Sequence, residues 1–334
     1  MVHRNVLPVE IVICDLPKTI EMEVHSTFLK IAKHVSSERF VLVLKNARVA
    51  LSECAIITAD DELVEGIKPL FGHIASGIFY ENYLPVLVPK VGKVVVLSNS
   101  DNYFHWLFEI IPRILLIQKA GLKPDYFVVG KDKKFKLESL NKLGISLKKI
   151  IPADKNLHIR AEELIVPSMP IHTGSPTPII CKFLRKTFLS NYDQKNYLKY
   201  KRVYIRRGNV KSRKVLNEVD VERLLLKNDF VSVTLDGLSI EEQAKIFSSA
   251  EIIVAAHGAA LSNLVFCKKN TKVIEVFHPS YVNPCFWSLS NCVGLDYYYF
   301  LASQAKFIDT NLDINISPVK LSLALRLSGL KVNE

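Results

Sequence analysis

Glycine and tryptophan are scarce in this chain: thirteen glycines and two tryptophans in 334 residues. So little glycine excludes a collagen-like chain, and 49% hydrophobic with only 23% charged residues excludes intrinsic disorder. No internal repeat or low-complexity tract is present. The six cysteines (Cys14, Cys54, Cys181, Cys267, Cys285 and Cys292) include no C-x-x-C pair and no neighbouring His at zinc spacing. They are expected to be reduced and mostly buried thiols. The opening residues MVHRNVLPVE lack an apolar core of signal-peptide length, so a cytoplasmic chain is expected. Two uncharged stretches exist, but residues 164–181 hold four prolines and residues 277–295 are rich in Pro, Ser and Asn, so neither reads as a membrane-spanning helix. Also missing are a D-x-D triplet, a G-x-G-x-x-G fingerprint and a Walker lysine loop.

What is present is length for about two domains, each able to bury its own core, and a formal net charge of +11. Residues 194–217 hold nine basic residues (Lys195, Lys199, Lys201, Arg202, Arg206, Arg207, Lys211, Arg213 and Lys214) and no acid. Such a concentration implies an anionic partner: a phosphate-bearing small molecule, nucleic acid or an acidic membrane surface. A solvated charged face is the simpler alternative.

The first ~90 residues show short apolar runs (VEIVIC, FVLVLK, RVALSECAII) that read as strands and loops. From Lys93 strands alternate with helices. KVVVLS, DYFVVG and ELIVP read as strands, with helices over about 102–119 and in FKLESLNKLG, ending at Gly144. A Pro, Gly and Ser cluster at 167–178 marks a crossover into a helix, PIICKFLRKTFLSNY. The alternation then restarts with strands KRVYIRR, FVSVTL, EIIVAA and TKVIEVF between helices NEVDVERLLLKND and SIEEQAKIFSSA. Ser239 with Glu242 reads as a capping box, and Asn217 precedes an acidic first turn. This alternation predicts parallel sheets with right-handed crossovers.

Three constellations carry chemistry. On the first, nearly all-apolar helix, His105, Glu109 and Arg113 fall at i, i+4 and i+8 along one stripe. Either they form a self-satisfied internal network, or the stripe faces a cleft where His or Glu serves as a general base. In KRVYIRRG, Arg202, Tyr204 and Arg206 alternate with Val203 and Ile205, predicting one cationic and one apolar strand face. Arg206 and Arg207 then stand where the strand ends, the usual place of a ligand crevice in an open α/β sheet. In EIIVAAHGAALSNLVF, the small residues Gly258, Ala259 and Ala260 after His257 lead into a helix whose N-terminal N–H groups suit an anion. Glu275, near the end of TKVIEVF, is either an acceptor for ribose hydroxyls or a solvent-facing strand-end residue.

Taken together, DNYFHWLFEIIPR, VYIRRG with the downstream Arg213, Asn217 and Glu218, and IIVAAHGAALSNLVFCKKNTKVIEVF resemble glycosyltransferase family 61. The similarity runs in order from about Ser98 to Phe277. One departure is visible: the turn usually written H-G-A-G-L is HGAAL here, with Ala260 in place of glycine, a change that costs little where φ is negative. The resemblance implies a GT-B-like α/β fold, two Rossmann-like domains facing a cleft, and inverting transfer from a nucleotide-sugar donor, commonly a UDP-sugar, with no required metal and no other cofactor. On that reading residues 1–180 form an acceptor-side domain with a β-rich start, 181–310 the nucleotide-sugar-binding domain, and 311–334 a tail or helix.

Expected roles follow. His105 is the first choice as base, lying near a helix N-terminus where the dipole disfavours a cation, and Glu109 positions it or binds the acceptor hydroxyl. Arg206, Arg207, Arg213, His257, Gly258, Ala259, Ala260 and Glu275 hold the donor, while Arg113 and Asn217 are structural. The expected acceptor is a glycan or a lipid-linked glycan in surface polysaccharide assembly, with peripheral contact to the inner membrane face and no nucleic acid. The rival readings are a nucleic-acid-binding protein using residues 194–217, and a nucleotide phosphohydrolase. The first lacks an RNA-binding, helix-turn-helix or zinc pattern, and the second lacks a metal-binding carboxylate and histidine cluster.

Overall fold

The computed structural model describes residues 2–64, 83–189, 197, 199–208, 210–304 and 311–333. The chain divides into two compact units: residues 1–11 with 35–187, and residues 12–34 with 188–334.

The first unit is built on a mixed sheet. Its main strands are β1 (Val2–Leu7), β2 (Arg39–Lys45), β3 (Val88–Ser98), β4 (Tyr126–Val129), β5 (Ile150–Pro152) and β6 (His158–Pro167), in spatial order β1-β2-β6-β3-β4-β5. The four strands β6, β3, β4 and β5 are parallel, as the alternating pattern predicts. Strands β1 and β2 join antiparallel at one edge, the contribution of the β-rich start. Val94, Val96, Val128, Leu164 and Val166 meet in its core. The predicted 102–119 helix exists as three pieces: an α-helical turn Tyr103–His105, a π turn Trp106–Ile110 and an α-helix Arg113–Lys119. Ile111 N donates to Trp106 O over 3.0 Å, the i→i+5 bond of a π turn. Helix α1 (Lys134–Lys142) ends with Gly144 at φ 76, the left-handed residue that C-capping favours.

In the second unit the strands of the main sheet are all parallel. They are β7 (Arg202–Ile205), β8 (Val231–Val233), β9 (Ile252–Ala256), β10 (Lys272–Phe277) and β11 (Asp296–Leu301), in order β8-β7-β9-β10-β11. A short strand Lys18–Thr19 adds to the β11 edge. Helices α2 (Glu218–Leu226) and α5 (Pro318–Leu327) pack together, while α3 (Ile240–Ser249) and α4 (Cys285–Val293) contact the 3₁₀ helix Ala259–Phe266. The Ser239–Glu242 capping box of α3 is formed in both directions.

Three expectations change. Residues 12–34 belong with the second unit: Phe28 is fully buried against Trp287 and Tyr299, and Trp287 Nε1 donates to Asp15 O over 2.8 Å. The tail is no separate piece, because Leu321 and Leu325 complete the second core. The strand-face prediction also fails, since Val203, Tyr204 and Ile205 are all buried and β7 is covered on both faces as an interior parallel strand. The six cysteines carry free thiols, five of them buried. Among the described residues no helix is long and apolar enough to cross a membrane.

Candidate active site

Each sheet has a topological switch point, where connections from one strand leave to opposite sides and open a crevice at the strand ends. In the second unit the chain runs from β7 to β8 on one side and then to β9 on the other, so the crevice lies beyond β7 and β9. Arg206 and Arg207 follow β7, and His257 and Gly258 follow β9. The two loops converge so closely that a Cβ on Gly258 would overlap Arg207 Nη1. Gly258 has an extended backbone, with φ 174, so space rather than conformation demands glycine. Arg207 Nε and Nη2 donate to Arg213 O and Ser212 O, both over 3.0 Å. Neither carbonyl supplies a counter-charge, and burial followed by the nearby Arg213 pushes the Arg207 pKa down to about 10. Arg213 sits in the left-handed region at φ 56 and places its guanidinium 5.3 Å from the Tyr281 ring centre. A rigidly held, desolvated guanidinium at a strand end is suited to a phosphate.

Beside it, His257 Nδ1 lies 2.5 Å from Glu275 Oε1, and the Tyr297 hydroxyl donates to Glu275 Oε2. Glu275 is completely buried. Burial and then the Glu275 charge push the Tyr297 hydroxyl and the Cys285 thiol well above their ordinary values. The His257 ring stacks on Phe277 at 5.2 Å and also meets Tyr281 and Phe286.

In the first unit the chain passes from β3 to β4 and β5 on one side and returns to β6 on the other. The helical stretch carrying His105 and Glu109 follows β3, and Met169 and Thr173 follow β6. His105 Nδ1 is 2.9 Å from Glu109 Oε1, which also accepts from Thr173 Oγ1 over 2.9 Å. Glu109 is buried, and His105 is partly open to solvent. Arg113, fully buried, bonds to Glu109 O, Leu97 O and Met169 Sδ. Burial pushes the Arg113 pKa down to about 10. The Glu109 carboxylate thus faces His105 and Thr173, while the guanidinium ties the helix to β3 and to the segment after β6.

Residues 103–274, about half the chain, match the family described as Glycosyltransferase 61. The chain belongs to glycosyltransferase family 61. A β-1,2-xylosyltransferase (RCN11) of Oryza sativa subsp. japonica is 33% identical over 61 residues, 18% of this chain and 11% of that protein. The β-1,2-xylosyltransferase of Arabidopsis thaliana is 29% identical over 70 residues, 21% of this chain and 13% of that protein. The alignments thus span only a small part of either plant relative. Among solved structures, E. coli heptosyltransferase WaaC with ADP aligns with 71% of this chain and 98% of its own at 10% identity and a TM-score of 0.35.

Within this member of family 61 several expected residues take other places. Arg206 is exposed and bound through Nε and Nη2 to both carboxylate oxygens of Glu222. Of the basic run, Lys201 pairs with Glu251 at 3.3 Å and Arg202 with Asp229 at 3.1 Å, acids too distant in sequence to enter a local charge count; Lys195 lies outside the described residues. Glu275 is neither solvent-facing nor free for a ribose: both its oxygens are engaged behind His257. Asn217 holds the N-cap position of α2 but gives its side chain to Ile316 N and O. Ala259 and Ala260 open a 3₁₀ helix rather than an α-helix, and Ala260 has no positive φ, which is why alanine fits there. Tyr297, Thr173 and His278 are functional candidates that sequence reasoning misses. His278, at the end of β10, is buried, accepts from Ser280 N over 3.0 Å and leaves Nε2 without a partner. Its one signal in the sequence is that it follows an apolar strand.

Proposed function

We propose that this glycosyltransferase moves a sugar from a nucleotide donor, UDP being the first choice of nucleotide, to a glycan or lipid-linked acceptor with inversion and without a required metal or other cofactor. The observation that carries the reading is the switch point of the second unit, where the desolvated Arg207 packs on Gly258 beside His257. Donor phosphates fit there because the half-buried Arg207 guanidinium donates only to neutral carbonyls and gains from an anion. In an inverting displacement the acceptor oxygen attacks the anomeric carbon, its proton passes to a base, and the electron pair of the breaking C–O bond stays on the departing phosphate. His105 is the proposed base. Glu109 Oε1 lies 2.9 Å from its Nδ1, and a carboxylate at that distance favours the imidazolium that proton transfer would form. Arg207, Arg213 and His257 supply positive charge for the leaving group.

The GT-B class, surface polysaccharide assembly, a cytoplasmic location and contact with the inner membrane face are parts of the same proposal, the last supported by the charge of +11. Because the plant relatives bear the name xylosyltransferase, a xylosyl donor belongs in the first panel. Nucleic-acid binding gains no support, since Lys201, Arg202 and Arg206 are paired with acids.

A thermal-shift panel of nucleoside diphosphates and their sugars tests the donor class. A ligand at about 100 times its dissociation constant stabilises the fold by about 2.7 kcal/mol. The proposal expects such a shift for at least one nucleoside diphosphate, UDP first, and none for nucleosides. Equal shifts with nucleosides and diphosphates would contradict it.

A further inference from the structure

We infer that Glu275 and Tyr297 are positioning residues that make His257 a one-directional cation, aimed by its Nε2–H at the departing phosphate. The inference rests on the reading that the second unit holds the donor diphosphate.

Tyr297 fixes the first step. Its hydroxyl is held in the protonated form by burial and by the Glu275 charge, so it donates to Glu275 Oε2. The remaining oxygen of a fully buried carboxylate then needs a donor, and His257 Nδ1 is the group 2.5 Å away. A proton on Nδ1 is therefore part of the folded arrangement. Nε2 projects from the other side of the ring, away from Glu275. Neutral imidazole with its proton on Nδ1 offers only a lone pair at Nε2, which repels a phosphate oxygen. Once Nε2 is also protonated, the ring is a cation flanked by a buried carboxylate on one side and the diphosphate on the other.

Charged and titratable groups around the ring are consistent with this. Tyr281 faces it from the turn after β10, under Arg213. Cys285, at the start of α4, is kept protonated by burial and Glu275, and Arg207 lies over the adjacent Gly258. Both arginines favour a bound anion over a free imidazolium. Protonation of Nε2 is accordingly tied to arrival of the diphosphate. When the bond from the anomeric carbon to the phosphate oxygen breaks, the electron pair stays on that oxygen, and the Nε2–H donates to it without leaving the ring.

The test is NMR of the full chain labelled with ¹⁵N-histidine, the His257 signals being assigned by His257→Gln. Spectra are taken alone, with saturating UDP and with inorganic pyrophosphate as a base-free probe. The expected result is a hydrogen-bonded proton on Nδ1 in the free protein and a second proton on Nε2 when UDP or pyrophosphate is bound. Glu275→Gln should bind UDP about tenfold more weakly, the loss of one charge-assisted hydrogen bond, with Tyr297→Phe affected less. The wild-type spectra need no variant to fold. UDP binding that leaves the His257 nitrogens unchanged, or a folded Glu275→Gln with wild-type affinity, overturns the inference alone. A wild-type chain that binds neither UDP nor pyrophosphate overturns the donor reading and this inference with it.

Discussion

Arg206 and Arg207 are neighbours in the chain with opposite surroundings. The first is exposed and gripped by Glu222, and the second is desolvated and held by two backbone carbonyls over Gly258. An exposed ion pair is worth about 0–1 kcal/mol, so Arg206→Ala should leave donor-nucleotide affinity within a factor of about three and change stability little. Gly258→Ala puts a methyl where Arg207 Nη1 now lies, and displacing that guanidinium should weaken UDP binding by roughly tenfold or more. Calorimetric titration of both variants checks the contrast; equal effects would mean that the Arg207–Gly258 contact is not part of the donor site. The candidate base, like His257, has a buried carboxylate close to Nδ1, and a hydroxyl donates to that carboxylate: Thr173 in one unit and Tyr297 in the other. Removing a general base lowers turnover by about 10² to 10⁴. His105→Ala should therefore bind UDP as the wild type does and transfer sugar poorly, with Glu109→Gln less severe. An active His105→Ala would assign the proton transfer elsewhere. The spacing of His105, Glu109 and Arg113 is visible in the sequence, but the direction of each side chain is not. The spacing places the three on one stripe; only the structure shows that Arg113 reaches back to Leu97 O and across to Met169 Sδ while the Glu109 charge acts on its guanidinium.

Elements explain how those side chains are held. Lys136 on α1 is fully buried, and its ammonium bonds to Asn99, Asp101 and Asp132 at 2.6, 2.8 and 2.7 Å. Trp106, next to His105, donates to Ser139 on the same helix over 3.0 Å. Helix α1 thus clamps the loop between β3 and the stretch that carries the base. Lys136→Met should cost about 1–3 kcal/mol in denaturant unfolding, less than an orphaned buried charge would, since Asp101 and Asp132 are open to water. It should also lower transfer more than UDP binding. Unchanged stability together with unchanged transfer would remove the clamp. The Lys136 ammonium holds the Asp101 carboxyl below its ordinary 3.8. A depressed carboxyl stabilises the fold fully above that value and loses its contribution as the pH falls below it, so any clamp effect of Asp101 belongs to the acid limb. Most strands and helices from Lys93 onward are legible in the sequence, because apolar periodicity, the Ser239 capping box and Gly144 speak locally. Residues 285–301 are not, although Pro284 before α4 and the left-handed Gly294 after it are ordinary helix punctuation. Their Pro, Ser and Asn content obscures a helix followed by the aromatic strand DYYYFL.

At the scale of the molecule, two α/β units each bring chemistry to a switch point of their own sheet, histidine against carboxylate in both. The alternation that predicts such sheets is written locally and so can be read. The docking of residues 12–34 onto β11 and α4 joins segments far apart in the chain, and no local pattern announces it. The same holds for the acids that neutralise much of the basic run. Metal-free transfer predicts that activity persists in excess EDTA; complete loss restored by Mn²⁺ or Mg²⁺ would show that a metal is required. The central claim is that Arg207, at the switch point of the second unit, grips the donor diphosphate. Titration calorimetry of UDP into the wild type and Arg207→Ala tests it most directly. Loss of a desolvated charge partner costs about 2–5 kcal/mol, so the variant should fold normally and bind at least about thirtyfold more weakly. A folded Arg207→Ala that binds UDP as tightly as the wild type would contradict the account.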